Sequence, residues 1–304
     1  MKSRPLIGAH LSIQGGVSRA VDRADALGIT VLQLFTHNPR QWDPPSPAPE
    51  EADLFCKKAA ASGLLTSAHS SYLINLASGS KEICCKSAAL MVKELRNAAA
   101  LAIPRLVLHP GSIGDANETD GIAAFTRALD QAIGRAGEST TIVALETTAG
   151  HGRGIGHRFG HLRDIIGASR YPERLGVCLD TCHVFASGYD IGTPEGYDTT
   201  IVAFDKIIGL EKIVLFHIND SRQPCGKQRD RHQHIGLGHI GLQTFARLLA
   251  DERFADTGKC LETPKGKKEE WDPVNIGILR SLADTHGTEE ARKIMETAFM
   301  DVPV

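Results

Sequence analysis

Six short apolar runs in this chain each close on a side chain able to bind a metal ion. His69 ends LLTSAH, His109 ends RLVLH, Glu146 ends TIVALE, Asp180 ends LGVCLD, His217 ends KIVLFH and Glu262 ends KCLE. His183 follows Asp180 by three residues, and the loop after His217 adds Asp230 and His232. A short apolar run bounded by turn residues reads as a buried strand. Parallel strands all point their C-terminal ends the same way, so such a set would deliver its terminal side chains to one rim. Nine ligands exceed the roughly four that one zinc takes, which implies a multinuclear centre. Five histidines and four carboxylates with no assigned thiolate suit zinc, manganese or iron in a catalytic site, not a structural finger. Three divalent ions would outweigh the four carboxylates by about two charges. Such a rim attracts a phosphodiester, and water bound to its metals is acidified toward a pKa of about 7.

The elements that must position these residues follow a strand-then-helix alternation. The apolar runs predict strands at Leu6–Leu11, Val31–Thr36, Leu64–His69, Arg105–His109, Thr141–Glu146, Leu175–Asp180, Lys212–His217 and Lys259–Glu262. Helical patterns lie between them at Val17–Leu27, Glu50–Ala61, Lys81–Leu101, Ile122–Arg135, Arg158–Ile166, Ile201–Ile208 and Gly241–Leu249, with a last one from Glu269 to Leu282. Eight such units predict a single (β/α)8 TIM barrel spanning residues 1–304, with its site at the C-terminal rim and a helical stretch at Glu289–Phe299 in the 286–304 tail. An open doubly wound sheet is the competing architecture. Its glycine-rich GxGxxG first turn is missing from HLSIQGGVSRA, and it gathers ligands at one switch point instead of from six strands.

Composition narrows the class further. Hydrophobic residues make up 42% and charged residues 23%, ordinary for a globular enzyme. No apolar stretch reaches the roughly 20 residues needed to span a bilayer, and MKSRPLIGAHLSI does not read as a signal peptide. Seven cysteines without a CxxC pair read as reduced thiols in a cytoplasmic protein. Cys178 shares the alternation of Asp180 and reads as a small core residue. A net charge of −2 does not mark a nucleic-acid binder, although metals at an acidic rim invert the local sign. His10 and His37 read as neighbours of the site or as exposed residues and not as ligands, and His234 and His239 carry the same caution. His151, His157, His161 and His286 read as surface residues. The glycines of HIGLGHIG would let backbone approach a ligand or a phosphate.

Taken together, the segments IGAHLSIQGG, FTHNPRQW, HSSYLINLAS, HPGS, LETTAG, GVCLDTCHVFASGYD and NDSR…DRHQHIGLGHIG resemble the endonuclease IV family, the metal-dependent apurinic/apyrimidinic endonucleases. The resemblance runs along nearly the whole chain. It implies a (β/α)8 barrel with three zinc ions, manganese or iron being admissible at one or more sites. It places one ion on His69, His109 and Glu146, a second on a bridging Glu146 with Asp180, His217 and Glu262, and a third on His183, Asp230 and His232. Glu146 and Glu262 would be the catalytic carboxylates. The implied substrate is double-stranded DNA containing abasic sites. A metal-bound hydroxide would cut the phosphodiester 5′ to the lesion, giving a 3′-hydroxyl and a 5′-deoxyribose phosphate, with 3′-end cleaning as a further activity to test. Arg40 and Tyr72 resemble the family's DNA-penetrating residues, and a monomer is expected. The chain departs from the family pattern at the KQR stretch 227–229 and at Leu237. Two other readings share the barrel: a sugar isomerase or epimerase, which would leave Asp230 and His232 without a role, and a barrel that binds damaged DNA without cutting it.

Overall fold

The computed structural model describes residues 5–267, 269–284 and 287–300. Strands β1 (Ile7–His10), β2 (Val31–Phe35), β3 (Leu65–His69), β4 (Arg105–Leu108), β5 (Ile142–Glu146), β6 (Leu175–Asp180) and β7 (Ile213–His217) alternate with helices α1 (Ser18–Leu27), α2 (Pro49–Ala61), α3 (Lys81–Ala100), α4 (Glu118–Ala136), α5 (Phe159–Ala168), α6 (Thr181–Ser187) and α7 (Pro194–Ile207). A two-stranded hairpin, β8 (Asp220–Ser221) with β9 (His232–Gln233), leads to α8 (Leu242–Ala250), β10 (Gly258–Leu261), α9 (Trp271–Ala283) and α10 (Gly287–Ala298). The eight long strands pair in parallel and close as β1-β10-β7-β6-β5-β4-β3-β2, with β1 joined to both β10 and β2. This is the single (β/α)8 barrel expected from the apolar runs. Gly8 fits the seam between β1 and β2 because a Cβ there would sit 1.5 Å from the Val31 carbonyl oxygen.

The alternation of side chains along a strand accounts for where the chemistry sits. Val31, Val107, Ala144, Cys178, Leu215 and Cys260 come from six strands and form one buried cluster separate from the main core. They are the apolar plug of the barrel interior, and Cys178 is one of them, as its alternation predicts. Two residues further on stand Gln33, His109, Glu146, Asp180, His217 and Glu262, with His109 and Glu262 one residue past the ends of β4 and β10. The rim is therefore the next interior layer above the plug. The outer core packs helix faces onto the strands through residues such as Phe55, Leu90, Leu95, Phe125, Leu129, Leu162 and Phe204, all buried. Side chains of Ser80, Asn117 and Thr193 accept hydrogen bonds from the first-turn amides of α3, α4 and α7, each cap contributing about 1 kcal/mol.

The structure departs from the sequence pattern in several places. Helix α7 begins at Pro194, seven residues before the predicted start, because Thr193 caps it and Pro194 occupies its first position. Helix α4 likewise starts at Glu118 under the Asn117 cap. Helix α6 occupies a stretch where the sequence predicts no helix. His161 is buried, not superficial: its Nδ1 accepts from the Gly156 amide, and its Nε2 lies 2.9 Å from Arg158 Nε and 3.2 Å from Glu118. His151 is exposed and His157 partly so, while His286 lies outside the described residues. The helical stretch predicted at Glu289–Phe299 lies in α10, whose following Phe299 stacks on His234 at 4.4 Å between ring centroids.

One buried charge carries a stability prediction. Lys259 lies on β10, 3% exposed, with Nζ donating to the Phe254 carbonyl. Burial lowers its pKa from 10.5 to about 8. The unfolded chain therefore holds more protons than the folded one between those values, so stability rises with pH across that window, by about 3 kcal/mol. Denaturant unfolding of Lys259→Met should show that rise removed; equal slopes in both proteins would contradict it.

Candidate metal centre

All nine residues singled out at strand ends, three residues beyond β6 and in the loop after β7 come together at the C-terminal rim. Ligand atoms of His69, His109 and Glu146 lie within 4.8 Å of one another, as do those of Glu146, Asp180, His217 and Glu262, and those of His183, Asp230 and His232. Atoms held about 2.1 Å from one tetrahedral ion lie roughly 3.4 Å apart. The observed separations bracket that value. Glu146 Oε2 is 3.2 Å from His69 Nε2 and 2.7 Å from His109 Nε2. His217 Nδ1 is 3.0 Å from Glu146 Oε1, 3.1 Å from Glu262 Oε2 and 3.9 Å from Asp180 Oδ2. Asp230 reaches His183 Nε2 at 3.2 Å and His232 Nε2 at 3.3 Å.

In four of the five histidines of the centre the outer nitrogen is held by an oxygen. His69 Nδ1 lies 2.8 Å from the Ser70 carbonyl, His183 Nδ1 2.8 Å from the Thr147 carbonyl, and His232 Nδ1 3.1 Å from the Glu262 carbonyl. His217 Nε2 lies 2.9 Å from Gln33 Oε1. An acceptor at one nitrogen fixes the proton there and leaves the other nitrogen's lone pair free, the arrangement found behind metal-binding imidazoles. Consistent with this, His183 Nε2 and His232 Nε2 are buried and make no hydrogen bond despite the carboxylates close by. These two orphaned nitrogens, with carboxylate oxygens at ligand-to-ligand distances, fit divalent cations.

The electrostatics agree. Burial opposes a charge on His183, yet Asp180, Asp230 and Glu146 outweigh it and raise its pKa well above the usual value. Burial likewise disfavours ionised Glu146 and Glu262, but His109 and His217 hold the first, and His217 and His10 the second, well below the usual carboxylate range. Glu146 and Asp180, fully buried, and Glu262, largely so, thus demand compensating positive charge.

Local folding explains the placements. Asp180 ends β6 and caps α6, accepting from the His183 amide at 2.7 Å, so the two side chains are locked at one turn. Asp220, fully buried, accepts from the amides of Ser221, Gly236, Ile240 and Gly241. A Cβ on Gly238 would stand 2.4 Å from Asp220 Oδ1. The glycines of HIGLGHIG therefore wrap an internal carboxylate rather than a phosphate, and that knot anchors the segment after His232.

Gln33 and Asn219 border the centre, and the sequence pattern does not single them out. Gln33 Nε2 donates to Glu262 Oε1 at 2.7 Å. Asn219 donates to Asp180 Oδ2 and accepts from the Glu262 amide, both at 2.8 Å. A lone glutamine inside VLQLF is the available signal for the first; Asn219, in a loop, gives none. His10 borders the centre, with Nδ1 3.4 Å from Glu262 Oε1, whereas His37 lies away from it against Glu94. Tyr72 stands at the rim, 72% exposed, its ring 6.1 Å from that of His69. Arg40 is exposed on the neighbouring loop after β2.

A family model described as a xylose isomerase-like TIM barrel matches residues 21–295. The probable endonuclease 4 of Geobacter sp. (strain M21) is 46% identical over 280 residues, covering 92% of this chain and 99% of that protein. The probable endonuclease 4 of Citrifermentans bemidjiense is 47% identical over 281 residues, covering 92% and 99%. The crystal structure of endonuclease IV from Thermus thermophilus superposes with a TM-score of 0.82 at 36% identity, covering 91% of this chain and 98% of that one. With that identity sustained over nearly the full length of these relatives, the chain belongs to the endonuclease IV family of xylose isomerase-like TIM barrels.

Proposed function

We propose that this chain is a DNA repair endonuclease that hydrolyses the phosphodiester 5′ to an abasic site, leaving a 3′-hydroxyl and a 5′-deoxyribose phosphate, at a centre of three zinc ions. The observation that carries the reading is the set of histidines held by oxygens on one nitrogen and turned toward shared carboxylates on the other. His69, His109 and Glu146 would hold one ion; Glu146, Asp180, His217 and Glu262 a second; His183, Asp230 and His232 the third. Bound there, the ions supply the Lewis acidity that makes water a nucleophile at neutral pH and offsets charge building on the phosphate.

The chain's own residues do the rest. Gln33 and Asn219 keep Glu262, His217 and Asp180 aimed at the centre. A cavity of about 190 Å³ bounded by His109, Ser112, Thr148, His151, His183 and Asp230 would receive the extruded sugar and its phosphate. Arg40 and Tyr72 would fill the gap left in the base stack. Extrusion costs least where the base is already missing, which favours the lesion over intact DNA.

The competing sugar isomerase reading shares the barrel but needs one or two ions, leaving the cluster of His183, Asp230 and His232 unused. Elemental analysis of protein purified without chelator separates the two. About three ions per chain, rich in zinc, is expected. A reproducible one or two with full activity would overturn the trinuclear assignment.

A further inference from the structure

Glu94 sits in the middle of α3 among Leu90, Met91, Leu95 and Ala98, and its side chain is 1% exposed. A carboxylate in such surroundings is costly unless every oxygen is satisfied, and packing alone would be served by an aliphatic residue. Its three donors all belong to the rim loops. Thr36 Oγ1 donates to Oε2 at 3.0 Å, and the Ser71 amide donates to Oε1 at 2.8 Å. His37 Nε2 lies 2.9 Å from Oε1. Thr36 and His37 open the loop that carries Arg40, and Ser71 immediately precedes Tyr72. The loops are also joined directly, Ser71 Oγ donating to the Pro39 carbonyl at 2.6 Å. His37 Nδ1 lies 2.8 Å from the Asn38 carbonyl, and Asn38 Oδ1 accepts from the Arg40 amide at 3.1 Å.

We propose that Glu94 is a positioning residue for DNA recognition: one buried carboxylate brackets the two loops and sets Arg40 and Tyr72 at a fixed spacing before DNA arrives. Preorganised loops lose less freedom on binding, so the bracket acts on affinity and on unstacking at the lesion while leaving the metal centre alone. The inference rests on the proposed DNA role of Arg40 and Tyr72.

The test uses the metal-loaded protein and a duplex carrying one abasic analogue with a non-hydrolysable 5′ linkage and a fluorescent base analogue beside it. Glu94→Ala should weaken binding roughly tenfold and diminish the unstacking signal. Metal content and the saturated single-turnover rate on a cleavable duplex should stay near wild type. Glu94→Gln should keep most of the affinity, because its carbonyl oxygen can still accept from His37 and Ser71 and its amide can donate to the Thr36 hydroxyl. In a chain already carrying Arg40→Ala and Tyr72→Ala, Glu94→Ala should add little, since residues acting through one another are not additive. Ser71→Ala cuts the link between the loops, together with the Leu73 amide's bond to Ser71 Oγ at 3.2 Å, and leaves the Ser71 amide on Glu94; it should lose part of the affinity and carries the test alone if Glu94→Ala does not fold. Unchanged affinity, full additivity, or a collapsed saturated rate at unchanged affinity would each overturn the bracket. Should Tyr72→Ala and Arg40→Ala themselves leave abasic binding intact, the DNA reading of these loops fails instead, and the two failures are distinguishable.

Discussion

Glu262→Gln is expected to lower cleavage of abasic DNA by about 100-fold or more, the upper end of what loss of even an outer partner of a metal ligand costs. Glu262 Oε2 faces His217 Nδ1 at 3.1 Å, while Oε1 accepts from Gln33 at 2.7 Å. An amide at this position is uncharged and holds a cation less well. It also sets an NH2 group against either the Gln33 amide, which already donates, or the ion that His217 would share. The second cluster should therefore lose occupancy first, which elemental analysis reads independently of activity. Affinity for the abasic duplex should change little, because the loops of Arg40 and Tyr72 lie outside this cluster. A variant that nicks at the wild-type rate would remove Glu262 from the reacting shell.

Tyr72→Ala is expected to do the opposite: weaken binding to abasic duplex and spare the chemical step. The ring is 72% exposed and leans on Phe35 at 5.2 Å between centroids, a shape suited to stacking on bases and not to burial in its own fold. Stacking of this kind is worth about 1–3 kcal/mol by alanine substitution. Equilibrium binding set beside single-turnover rates at saturating protein separates the terms. Unchanged affinity with a collapsed saturated rate would place Tyr72 at the metals and end its assignment as a wedge.

The barrel is legible in the sequence because burial on both faces makes each strand a continuous apolar run, and a charged or imidazole side chain at its end stands out. Six of the nine rim residues are legible for the same reason, whereas His183, Asp230 and His232 are legible only because they follow two of those strand ends. What escapes has physical causes. TCHVFAS, the whole of α6, is buried on nearly every side, so it shows no amphipathic period. The first turn of α7, PEGYD, is mostly polar and carries no apolar stripe; only its Thr-Pro start marks it. Asp220 draws on amides sixteen to twenty-one residues away, and Glu94 on side chains and an amide twenty-three to fifty-eight residues away. Neither leaves a local pattern. His161 resembles a surface residue in sequence because its one acidic partner, Glu118, lies in another helix.

The most direct measurement is to incubate the purified protein with a duplex carrying one abasic analogue, with and without a chelator, and to map the cut at nucleotide resolution. The account predicts a single incision 5′ to the lesion, bearing a 3′-hydroxyl, that chelation abolishes and zinc restores. Incision elsewhere, incision that persists after the metals are stripped, or an intact duplex under metal-replete conditions would contradict it.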